Sequence, residues 1–96
     1  MTFNLEFKES ALKEWKKLDG AIRSQFKKKL IERLERPRVE SARLSGMPDC
    51  YKIKLKNAGS RLVYQVDDNR IVVIVVAVGK REKLAVYRTA GNRLNQ

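Results

Sequence analysis

Histidine is absent from this 96-residue chain. That removes the commonest general acid–base at neutral pH and the commonest metal ligand. Cysteine occurs once, as Cys50. No intrachain disulfide can form, no zinc ligand set exists, and a reducing cytoplasm is the natural setting. Cys50 reads as a small core or strand-end residue without a role of its own. The five glycines are scattered and build no phosphate-cradling loop. Long apolar runs are missing too: the longest, Ile71 to Val78, is eight residues, well short of a membrane span. The opening "MTFNLEFKES" has no apolar signal core and carries acids, so it reads as part of the fold. The length suits a single domain over residues 1–96, and no cofactor is expected.

Acidic residues are the remaining shortage. Eleven Asp and Glu face 22 Lys and Arg, a net charge of +11. Residues 1–49 hold 12 basic and 8 acidic residues; residues 50–96 hold 10 and 3. A field this positive favours a polyanionic partner, nucleic acid before an anionic membrane or an acidic protein.

What is present is periodic. "TFNLEF" alternates, with Phe3, Leu5 and Phe7 on one side, and predicts a strand. "ESALKEWKKL" changes to helical spacing, with Leu12, Trp15 and Leu18 on one stripe and Trp15 in the core. Asp19-Gly20 breaks that helix, and Asp19 is placed to cap the next. Ile22, Phe26, Leu30 and Leu34 then recur at four-residue steps around a solvated "KKK", Lys27 to Lys29. Pro37 stops the second helix, and the short connection predicts an antiparallel helix hairpin. Residues 37–49 read as a loop. Three strands follow, over 50–56, 61–66 and 71–78, with turns at 57–60 and 67–69. The unbroken β-branched run belongs inside the sheet, its free edge covered by the N-terminal strand. A terminal helix over 84–94 completes an α+β order, β-α-α-β-β-β-α: an antiparallel sheet with the helix hairpin on one face and the other face, or part of it, open and basic.

The stretch "CYKIKLKNAGSRLVYQV" gives that open face its character. Alternation puts Lys52, Lys54 and Lys56 on one side, about 7 Å apart at two residues of strand rise. Folding gains nothing from such crowding. Lysines guarding a sheet edge are one explanation. The rest of the chain offers another. A meander brings Arg61 beside the lysines, Arg81 follows the central strand, and Tyr87 lies on the terminal helix. Together Lys52, Lys54, Arg61, Arg81 and Tyr87 make an anion site beside an aromatic ring, the composition of a single-stranded RNA site. Lys56, Lys80 and Lys83 extend it as RNA-binding cations.

The stretches "ALKEWKKL", "GMPDCYKIKL", "RLVYQV" and "VGKRE" followed by "VY" resemble, in order and spacing, the RelE toxins, ribosome-dependent mRNA endonucleases of bacterial toxin–antitoxin pairs. The resemblance spans nearly the whole chain. Its functional positions fall on Lys52, Lys54, Arg61, Arg81 and Tyr87; Ser60, Lys83 and Leu84 depart from it, which bears on specificity rather than class. It implies a microbial-ribonuclease-like fold, cleavage of mRNA in the ribosomal A site by 2′-hydroxyl attack, inhibition by a RelB-like antitoxin, and contact with operator DNA only through the antitoxin complex. No membrane partner is implied.

Such cleavage needs a base on the 2′-hydroxyl, charge stabilisation at the phosphorane and an acid on the leaving oxygen. Free lysine titrates near 10.4 and free tyrosine near 10. Crowded cations lower a lysine's pKa and help ionise a neighbouring phenol, which gives the clustering a reason. The assignment is Lys52 as base, Lys54 as acid, Arg61 and Arg81 as phosphate clamp, and Tyr87 stacking on a base or sharing the role of Lys52. Arginine does not readily release a proton. A gyrase-directed ParE-like toxin would lack this set, and a plain basic binding module would not require the tyrosine.

Overall fold

The computed structural model describes residues 2–80 and 85–94. Its elements are β1 (Asn4–Phe7), α1 (Glu9–Lys16), α2 (Gly20–Glu35), β2 (Cys50–Leu55), β3 (Ser60–Asp67), β4 (Val72–Lys80) and α3 (Ala85–Leu94), with a 3-10 turn at Glu40–Ala42 inside the long loop. The expected order is the observed one.

The strands lie in the order β1-β4-β3-β2, so β4, the β-branched strand, is interior and β1 covers its free edge. β2, β3 and β4 form the expected antiparallel meander. The whole sheet is mixed, because β1 runs parallel to β4, Asn4 beside Val72 through Phe7 beside Val75. Short turns force chain neighbours to run antiparallel. β1 reaches β4 only after two helices and two strands, so no turn fixes its direction.

Strand alternation sorts the side chains into two cores. On one face Tyr51, Ile53, Leu55, Leu62, Tyr64 and Val66 pack against Ala11 of α1 and Phe26 and Leu30 of α2. Trp15 sits between Phe7 and Phe26, ring centroids 5.3 and 6.3 Å away, and Tyr51 stacks on Tyr64 at 5.7 Å. Of the stripes read from helical spacing, Phe26 and Leu30 are buried, Trp15, Leu18, Ile22 and Leu34 pack half-buried against the core, and in α1 the buried residue is Ala11 instead. On the opposite face Cys50, Val63, Val76 and Ala77 are covered by Val86 and Ala90 of α3. The face expected to lie open is thus half occupied. Its β3–β4 half is apolar and needs a lid, and the four-residue step from Val86 to Ala90 supplies one. The half around Lys52, Lys54 and Arg61 keeps its charge.

Three local expectations shift. Asp19 precedes α2 but makes no side-chain capping bond. The turn after β2 takes in Lys56: residues 56–59 close it, with Gly59 N–H donating to the Leu55 carbonyl at 2.9 Å and Gly59 at φ +66. Ile71 ends the following turn at φ +56, a costly setting for a β-branched residue. β4 consequently starts one residue later than the apolar run.

Candidate active site

Register places the cations. Lys54 lies directly across from Arg61, which in turn faces Gly79; Lys52 faces Val63 two residues along. Cβ atoms of directly opposed residues come within about 5 Å, so Lys54 and Arg61 share one spot at the turn end of the sheet. Lys80, the last residue of β4, pairs with Ser60 at the same end and is exposed. An open depression of about 310 Å³ is lined there by Lys54, Leu55, Lys56, Gly59, Ser60 and Arg61. Lys56 reaches it from the turn and not from the strand face first expected.

α3 brings the aromatic ring. Tyr87 is half-buried, with the Arg61 guanidinium 5.5 Å from its ring centroid. Arg61 Nη1 donates to the Tyr87 phenol oxygen at 3.2 Å. Arginine stacks on rings and forms bonds in the plane of its fork, so one side chain can do both. Of the five expected site residues, Lys52, Lys54, Arg61 and Tyr87 share the face opposite the helix hairpin. Arg81 lies outside the described residues, as do Lys83 and Leu84.

Below the site, on the hairpin side, is a residue that sequence reading did not single out. Arg33 of α2 donates through Nη1 to the Lys52 carbonyl at 3.2 Å and to the Tyr64 hydroxyl at 2.8 Å. Tyr64 in turn donates to the Pro37 carbonyl at 2.6 Å. The backbone carrying Lys52 is thereby fastened to α2. Burial pushes the Tyr64 phenol above its ordinary pKa, against the pull of Arg33. At the far end of the sheet Arg38 bridges Asp49 and Asp68 at 3.0 and 2.6 Å and also donates to the Tyr51 hydroxyl at 3.2 Å. Arg38 thus ties the long loop to the β3–β4 turn. Glu14 and Arg93, equally unremarkable in sequence, form a bidentate pair between α1 and α3.

Cys50 is buried under α3, and burial followed by the Asp49 charge pushes its thiol up to about 11. Burial and the raised pKa both disfavour a thiolate at neutral pH. Among the described residues no group of three or more His, Cys, Asp or Glu side chains is placed to hold a metal ion. What the site can do is bind phosphate, stack a base and exchange protons through lysine and tyrosine.

Residues 5–85 match the family described as the ParE toxin of the type II toxin–antitoxin system parDE. The chain is 57% identical over 94 residues to the mRNA interferase toxin RelE of Escherichia coli K12, covering 98% of this chain and 99% of that one. A double arginine-to-alanine mutant of E. coli toxin RelE, solved in the free state, superposes with a TM-score of 0.90 at 56% identity over 98% of this chain and 99% of that one. The toxin in the intact E. coli RelBE toxin–antitoxin complex superposes at 0.82 with 59% identity, over 84% of this chain and 99% of that one. By matched length, identity and superposition, this chain belongs to the RelE/ParE family of type II toxins.

Proposed function

We propose that this protein is a ribosome-dependent endoribonuclease that cleaves mRNA in the A site and so halts translation, acting as one RelE-like domain over residues 1–96. The observation that carries the reading is the Arg61–Tyr87 pair directly across from Lys54, on a chain 57% identical to an mRNA interferase. Lys52 takes the 2′-hydroxyl proton. The 2′-oxygen attacks phosphorus, Arg61 and Arg81 hold the charge of the phosphorane, and Lys54 protonates the departing 5′-oxygen. The products are a 2′,3′-cyclic phosphate and a 5′-hydroxyl end. Tyr87 stacks on a base or shares the proton transfer. Lys56, Lys80 and Lys83 contact the RNA backbone.

With no histidine in the site, orientation must supply much of the rate, and the ribosome supplies orientation. A RelB-like antitoxin restrains the toxin, and the pair together contacts operator DNA. The setting is the cytoplasm, where ribosomes are.

The test is primer extension on mRNA incubated with the purified protein, with and without ribosomes. New 5′-hydroxyl ends within the A-site codon, formed only with ribosomes, are expected. Efficient cutting of naked mRNA would make it an ordinary ribonuclease. Gyrase inhibition without cleavage would place it with ParE-like toxins.

A further inference from the structure

β1 follows β4 only as far as Val75, whose carbonyl accepts from Lys8 N–H at 2.9 Å. Beyond it, among the described residues, no strand lies beside that edge of β4. The β3–β4 register also slips here: Val63 pairs with Ala77 and Tyr64 with Val75, leaving Val76 as the extra residue of a bulge. Two side chains take over the bare edge. Arg93 Nη1 donates to the Val76 carbonyl at 2.8 Å, and Val78 N–H donates to Glu14 Oε1 at 3.1 Å. The same two side chains pair with each other, Nη1 to Oε1 at 2.8 Å and Nη2 to Oε2 at 3.1 Å. Their side chains are 16% and 33% exposed. One contact therefore joins α1, β4 and the last turn of α3.

The remaining attachment of α3 is mainly apolar, with Tyr87 and Leu94 packed half-buried against the cluster beside Leu44 and Met47. Val86 and Ala90 are its buried residues. At its first turn, a Cβ added to Gly79 would lie 2.7 Å from Val86 Cγ2, so the helix sits on β4 with no clearance. A ten-residue helix containing Gly91 is marginal without its contacts.

We propose that the Glu14–Arg93 pair is the fastening that sets how often α3 lies docked, and that through α3 it positions Tyr87 against Arg61. Glu14 and Arg93 are positioning residues for the reaction, an assignment that rests on the ribonuclease reading of the site. Removing either partner leaves the other charge and a strand-edge group unpaired in the docked state alone, because water satisfies them once the helix lifts. Docking is therefore penalised more than folding of the sheet.

Cys50 gives a readout that needs no activity. It is the chain's one cysteine and is buried beneath Val86 and Ala90. When reclosing outpaces alkylation, its labelling rate tracks the open fraction. Arg93→Met and Glu14→Met are expected to speed native-state alkylation of Cys50 by about a hundredfold, with β3 amides keeping their hydrogen-exchange protection. The drop in cleavage rate on ribosomes should equal the fraction of docked molecules lost, with KM unchanged. Arg93→Met should add nothing in a Tyr87→Ala background, since its effect passes through Tyr87. Gly79→Ala, which pushes Val86 away from the other end of the helix, should raise labelling too, and Val86→Ala should reverse that. Unchanged labelling in Arg93→Met, labelling that rises together with β3 amide exchange, or a rate loss that persists without Tyr87 each overturns the proposal. If the parent cuts no RNA while labelling behaves as described, the latch stands and the ribonuclease reading falls.

Discussion

Arg61 holds Tyr87 in two ways, with its guanidinium over the ring at 5.5 Å and its Nη1 on the phenol oxygen at 3.2 Å. The oxygen accepts from Arg61, so its own proton is left to point elsewhere. That arrangement suits a phenol that exchanges a proton with substrate better than one that serves as a flat surface. Tyr87→Phe keeps the ring beneath Arg61 and loses the hydroxyl. Single-turnover cleavage on ribosomes is expected to fall about a hundredfold in both Tyr87→Phe and Tyr87→Ala, the low end of acid–base contributions. A Phe variant near the parent rate would reduce Tyr87 to a stacking platform.

Ribosome binding should weaken steeply with salt. The net charge is +11, and Lys54, Lys56, Arg61 and Lys80 gather at one end of the sheet. Each single-stranded phosphate contact contributes a slope of roughly −0.7 in log K against log salt. Four or more such contacts should give a slope steeper than about −2.5. Titration of labelled toxin against ribosomes at several salt concentrations measures it, and a flat dependence would argue for an apolar interface.

Tyr64 should make the fold sensitive to alkali. Its buried phenol is held above the ordinary value near 10. As pH rises past about 10 the unfolded chain loses that proton while the folded chain keeps it. The unfolded state then binds fewer protons, so stability falls with rising pH in that window and is fully present below it. Tyr64→Phe should lower stability at pH 7 by about 1–3 kcal/mol, because the Pro37 carbonyl and Arg33 lose a buried partner. The variant should also show a shallower decline above pH 10. Denaturant midpoints from pH 7 to 11 for the two proteins decide the matter; parallel curves would clear Tyr64 of the effect.

Antitoxin should act on the terminal helix. The cationic half of the sheet and the short α3 form a surface that an acidic, partly disordered partner can wrap. Hydrogen exchange with and without the cognate antitoxin should show residues 85–94 losing protection while Val63 and Val76 keep theirs. A helix equally protected in the complex would mean that the partner covers the site without moving Tyr87.

Sequence alternation was enough to recover most of this architecture. Tyr51, Ile53 and Leu55 against Lys52 and Lys54 specify both the strand and its buried side, and a two-strand register then carries Lys54 to Arg61. The period-four stripe of Phe26 and Leu30 likewise names the residues that are fully buried. What escaped reading depends on contacts distant in sequence. The parallel direction of β1 leaves no local mark, and Arg33, Glu14 and Arg93 look like ordinary solvent charges on helices. Half of the second face is apolar only because α3 returns to it. Lys56 was misplaced for a local reason: period two does not announce where a strand ends, and Gly59 drew the turn back by one residue.

The Glu14–Arg93 contact joins residues 79 positions apart, and chains are made from the N-terminus onward. Every strand and both hairpin helices have been synthesised before Arg93 is added. A contact of that separation repays its loop-closure entropy only after the sheet between its ends has formed, so the helix that carries Tyr87 is the last element to gain its place.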